Sequence, residues 1–111
     1  MNQQERKAAV AAYKEAKTTA GVFAIICTAT GETWVGQSRH IDTQQNGYWF
    51  SLRQGGSRHV AMQEAWRLHG EDSFRFEQLD RLPEDISNLL RGGELKKRAS
   101  LWTARLQATA L

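Results

Sequence analysis

At 111 residues the chain has room for one domain with a modest core, and 41% apolar with 24% charged residues is ordinary for a globular protein. No apolar run approaches the roughly 20 residues of a membrane-spanning helix, and the polar start "MNQQERKAAVAAYKEAK" is unlike a secretory signal. The net charge of +3 permits a polyanionic partner without demanding one, and it is uneven: Glu71, Asp72, Glu77, Asp80, Glu84 and Asp85 make an acidic stretch, whereas Arg91, Lys96, Lys97, Arg98 and Arg105 make the C-terminal segment basic.

Gln3 to Lys17 reads as an alanine-rich helix with Val10 and Tyr13 as a thin apolar side, so residues 1–20 form a helical extension to a domain at 21–111. The apolar, β-favouring run Val22–Cys27 suits a strand covered on both faces. Its Cys27 is the single cysteine, which excludes an internal disulfide and a cysteine-rich zinc site, reads as a buried thiol and fits a cytoplasmic protein. After the turn "ATGE", the run "TWVG" returns as a second strand of a hairpin. Ile41–Gln54 reads as a helix with Tyr48, Trp49 and Leu52 on its apolar side, although Gly47 weakens it.

Ser57 is the expected N-cap of a helix reaching His69, with Val60, Ala61, Ala65 and Leu68 on one stripe and Gly70 as its stop. "SFRFEQLDRL" alternates as a third strand. Pro83 should start a short helix that Gly92-Gly93 interrupts, before a last helix with a stripe of Leu95, Ala99, Trp102 and Leu106. The expected fold is α+β, a sandwich of helices on a three-stranded, mainly antiparallel sheet.

"GVFAI" at Gly21–Ile25 followed by "WVG" at Trp34–Gly36 resembles the paired signature of the GIY-YIG nuclease family. The rhythm of Met62, Gln63, Trp66, Gly70, Phe74, Phe76, Glu77 and Leu79 is similar to that family's second helix and third strand, so the likeness spans Gly21 to about Trp102. Gln45, Asn46, Trp49, Phe50, Leu52, Arg53 and Gly55 further resemble a bacterial subgroup of small proteins and of domains attached to LuxR- and ArsR-type regulators.

The resemblance implies DNA cleavage by two tyrosines, an arginine and a glutamate holding one divalent metal, Mg2+ or Mn2+. A tyrosine hydroxyl relays a proton from the attacking water, while metal and arginine neutralise the charge building on phosphate. Matched position by position, the resemblance puts the tyrosines at Phe23 and Trp34, the arginine near Gln44 and the glutamate at Ala99, none of which carries the required group.

Arg39 and His40, directly after the glycine turn, are the candidates for rebuilding the centre beside Phe23 and Trp34, or else solvated loop residues. Glu64 and Glu94 are the candidate metal ligands, against surface glutamates. Trp34 and Trp49 either pack in the core or offer an indole face to an unpaired base. Arg39, Arg53, Arg58, Lys96 and Lys97, with Trp49, are the candidate nucleic-acid-binding residues. Three functions follow: a degenerate nuclease scaffold that binds DNA or, second, RNA; an active metal-dependent endonuclease with substituted residues; and a protein-interaction module acting as a homodimer or on a regulatory partner.

Overall fold

The computed structural model describes residues 19–111, so the expected helix from Gln3 to Lys17 lies outside the described residues. The run read as a doubly covered strand is β1 (Gly21–Cys27), the strand from which the fold is built. Its antiparallel neighbours are β2 (Thr33–Ser38) and β3 (Phe74–Arg81), and a bulge between Val22 and Phe23 shifts the β3 register. A strand not expected from the sequence, β4 (Thr109–Ala110), runs parallel to β2 and makes the sheet a mixed, four-stranded one in the order β3-β1-β2-β4. Two residues carry no periodicity, so β4 is fixed by its pairing and by the bond from Leu111 N to Val35 O (2.8 Å).

Alternation along the strands sorts side chains to two faces. Phe23, Ile25, Cys27, Trp34 and Phe74 pack with Trp49, Leu52, Met62 and Trp66, so α1 (Gln44–Gln54) and α2 (Val60–His69) cover one face. Val22, Ala24 and Val35 face the other way, against Ala99 and Trp102 of α3 (Asn88–Leu106). This is the α+β layering expected from the order of elements.

Helix boundaries and stripes depart from the reading above. Ser57 is not the cap of α2: its hydroxyl accepts from His59 N at 3.2 Å, and His59 takes the capping position without a side-chain bond. The buried stripe of α2 is Met62, Ala65 and Trp66, while Val60 and Leu68 are exposed. Large aromatic contacts set that rotation, since Trp66 meets Trp49 edge-on at 5.4 Å and Phe74 at 5.1 Å. Pro83 opens a turn, closed by Ile86 N on Pro83 O at 3.2 Å, and no helix starts there.

The last helix instead begins after Ser87, whose hydroxyl accepts from Leu90 N at 3.3 Å, and it runs unbroken through Gly92-Gly93. Two such glycines cost about 1 kcal/mol each. That cost is met downstream, where Leu95 is buried, Arg98 bonds Asp80 at 2.8 Å and Trp102 Nε1 donates to Asp80 at 3.3 Å. Leu106, counted on the apolar stripe, is exposed.

Candidate nucleic-acid interface

The two glycines of the signature are fixed by close approach. A Cβ on Gly21 would run into the Asp80 carbonyl oxygen on β3. One on Gly36 would stand 2.6 Å from Cζ of Phe23 and 3.2 Å from Cδ1 of Leu111. Packing alone therefore accounts for both.

The aromatic positions beside them are core. Phe23 is fully buried, stacked on Phe76 at 5.0 Å and inclined to Tyr48 at 5.4 Å. Trp34 is 4% exposed and lies parallel to Phe74 at 6.3 Å. Trp49 is likewise buried, edge-on to Trp66, Phe74 and Phe76, so neither indole offers a free face to a base, and the stacking role considered for them gives way to packing.

At Tyr48, whose ring packs on Phe23, a cleft of about 420 Å3 opens between α1 and the N-terminus of α2. Gln44, Tyr48 and Ser51 line it from one face of α1, at positions i, i+4 and i+7, and Ser57, Arg58 and His59 line it from the opposite side. Gln44 is tethered, its Oε1 accepting from the buried Ser38 hydroxyl at 2.7 Å, and Ser38 Oγ accepts in turn from His40 N at 2.8 Å. The His59 ring lies over Tyr48 at 6.1 Å, and partial burial raises the Tyr48 phenol above its usual pKa. Arg39 and His40 are exposed in the connection from β2 to α1 and line neither this cleft nor the groove beside α3.

The arginines fall into two classes. Arg53 is held by a two-pronged bond to Glu71, 2.8 Å on each side, so the charge considered for phosphate is already matched. Its hydrogen bond to Glu71 holds that carboxyl below the ordinary range. Arg67, Arg75, Arg81 and Arg98 are also paired with carboxylates. Arg39, Arg58, Arg91 and Arg105, with Lys96 and Lys97, enter no ion pair among the described residues, and Arg105 lies over the Trp102 ring.

The candidate metal ligands do not converge. Glu64 is paired with Arg67 on α2, and Glu94 bonds Arg98 at 2.9 Å on α3, across the sheet. Among the described residues no group of three His, Cys, Asp or Glu side chains comes together. A magnesium-type ion keeps most of its waters and asks for only one or two carboxylates, but Ala99 supplies none at the position the resemblance assigns to the metal, and Glu64 and Glu94 are each taken up by an arginine. Ala99 packs towards Val22, Ala24 and Val35 and also lines a second opening, a groove of about 810 Å3 between α3 and the β2–β4 edge.

Two solved structures share this architecture. The catalytic domain of the intron endonuclease I-TevI, in a substituted form, superposes with a TM-score of 0.68 at 19% identity, covering 81% of this chain and 86% of that one. A structure of the catalytic domain of the homing endonuclease I-TevI gives 0.67 at 18%, covering 83% and 97%. The fold is that of the GIY-YIG nucleases. No protein-family model and no curated sequence matches the chain.

On this GIY-YIG fold Phe23, Trp34, Gln44 and Ala99, the four positions singled out by the resemblance, carry no ionisable group. The cleft residues Tyr48, Ser51 and Ser57 were not among the candidate site residues. Their signal lies in the spacing, because Gln44, Tyr48 and Ser51 make a polar stripe beside the apolar pair Trp49 and Leu52.

Proposed function

We propose that this chain is a nucleic-acid-binding or regulatory domain, for DNA before RNA, built on a nuclease fold whose cleaving centre is degenerate. The observation that carries the reading is the burial of Phe23 and Trp34 as apolar core where cleavage would need hydroxyls. A phosphodiester needs a proton relay and charge neutralisation at the same point. Gln44 and Ala99 bring neither charge, and Glu64 and Glu94 lie on helices covering opposite faces of the sheet.

Binding is supported by the cations left over. Arg39, Arg58, Lys96 and Lys97 have no carboxylate partner among the described residues, so they are available to phosphates. A homodimer or a regulatory protein partner belongs to the same proposal, as does a cytoplasmic setting, for which the buried lone thiol of Cys27 is suited. The test is affinity for single- and double-stranded DNA and RNA against salt. Release of counterions from about three phosphates of a single strand gives a slope of log affinity on log salt of about −2. Absence of binding at low salt sinks the proposal.

A second reading has one observation in its favour. Tyr48 brings a phenol hydroxyl from α1 to the cleft beside Phe23, with His59 stacked on it. An endonuclease working with Mg2+ or Mn2+ through these substituted residues would lose metal-dependent cleavage on Tyr48→Phe. Cleavage equal to that of the unaltered chain rejects that role for Tyr48.

A further inference from the structure

We propose that the groove between α3 and the β2–β4 edge holds one unpaired nucleotide of a nucleic-acid strand, its base on the apolar floor and its phosphate at Lys96. The inference rests on the nucleic-acid-binding reading above and assigns to it a site and a strand state.

The groove's volume of about 810 Å3 lies in the range of small-ligand sites, roughly 300–1,000 Å3. Its floor is made by Val35 and by Ala99, Ala104 and Ala108, whose small side chains leave a shallow apolar surface for a flat ring. Ala99 is decisive here. A glutamate at that position would narrow the groove and repel an anion, whereas alanine leaves it open and uncharged.

The rim has the complementary chemistry. Gln37 and Gln107 both line the groove, and a carboxamide can donate and accept in one plane, which matches the edge of a base. Lys96 supplies a cation without an ion-pair partner among the described residues. No acidic side chain lines the groove. The Thr103 hydroxyl is already bonded to Ala99 O at 2.7 Å, which leaves the two carboxamides, Lys96 and Ser100 to meet a ligand.

The backbone gives an independent pointer. Gln107 closes α3 in the left-handed region at φ 51°, the sole non-glycine residue with positive φ among the described residues. The closing bonds, Gln107 N to Ala104 O at 3.3 Å and Ala108 N to Thr103 O at 2.9 Å, are backbone bonds that glycine would make with less strain. A left-handed residue other than glycine, with a long polar side chain at the mouth of a groove, is the kind of backbone outlier from which a functional hypothesis is drawn.

The test compares the full chain with Gln107→Gly and Ala104→Phe, using fluorescence anisotropy of a labelled single-stranded oligonucleotide and of its duplex. Gln107→Gly removes the carboxamide and keeps the backbone at ease, so its unfolding midpoint should hold or rise. Ala104 is exposed, so the phenyl group narrows the groove without entering the core. Each change should weaken single-strand binding about five- to tenfold, as expected for one lost base contact, with duplex binding unchanged. Single-strand binding by both variants equal to that of the unaltered chain overturns the groove site while leaving the broader function intact. Failure of the unaltered chain to bind any nucleic acid overturns the functional reading, and the groove assignment falls with it. Saturable binding of a free mononucleotide, with no response to the oligonucleotide, overturns the strand as its source.

Discussion

The two faces of the sheet solve the same problem of burial with different side chains. Under α1 and α2 the core is aromatic: Trp34, Trp49, Trp66 and Phe74 interlock at centroid distances from 5.1 to 6.5 Å, and Phe23 stacks on Phe76 at 5.0 Å. Under α3 it is thin, built from Val22, Ala24, Val35 and Ala99, and it is completed by a polar network in which Asp80 binds both Arg98 and Trp102. The lesson is that Phe23 and Trp34 serve as packed core on the first face, while the second stays open beside Ala99.

The largest expected effect breaks the first face. Trp66→Ala removes an indole that touches two other aromatic residues, and it should cost about 3–5 kcal/mol in urea unfolding. Trp102→Ala on the second face removes a half-buried indole, so about 1–3 kcal/mol is expected. Equal costs would abolish the contrast between the faces.

Gly36→Ala comes next. It drives a methyl group against the Phe23 ring and Leu111, and overpacking of this kind costs about 1–3 kcal/mol. A neutral Gly36→Ala would show that the signature glycine is not held by packing.

This is also where the sequence was most and least informative. The hairpin, the order of elements from β1 to β3 and the packing of Trp66 and, half-buried, Trp102 could be read from the sequence, because burying one face forces a pattern. Gly21 and Gly36 could be recognised by resemblance, but their reason could not, since close approach involves Asp80 and Leu111, far away in sequence. The unbroken course of α3 through Gly92-Gly93 was hidden for a similar reason: propensity is local, whereas the contacts of Leu95, Arg98 and Trp102 that override it are not. β4 and the groove it helps to form left no mark in the sequence.

Smaller effects sharpen the picture at the cleft. Burial raises the Tyr48 phenol above its usual value of 10.0, so the folded state holds this proton more firmly than the unfolded chain does. The stability this gives is complete below that value and lost as pH rises through the higher folded pKa. Alkaline spectrophotometric titration should find one late-titrating phenol, missing in Tyr48→Phe, whose stability should fall less steeply with pH over that interval. Smallest of all, Glu71→Gln removes an exposed partner of Arg53 and should leave the urea midpoint unmoved at high salt. Its informative effect is on binding: freeing Arg53 should strengthen affinity for DNA at low salt, and an unchanged affinity would remove Arg53 from the interface.

The most direct test of the central claim, binding without cleavage, is one incubation of the purified chain with supercoiled plasmid and single-stranded DNA, in Mg2+, in Mn2+ and in chelator. Each sample is run both native and after denaturation. Retarded DNA in the native gel that remains intact after denaturation, in every metal condition, is the predicted result. Metal-dependent cutting that co-purifies with the protein and disappears in Tyr48→Phe would contradict it, and would show that a working centre has been rebuilt around the cleft.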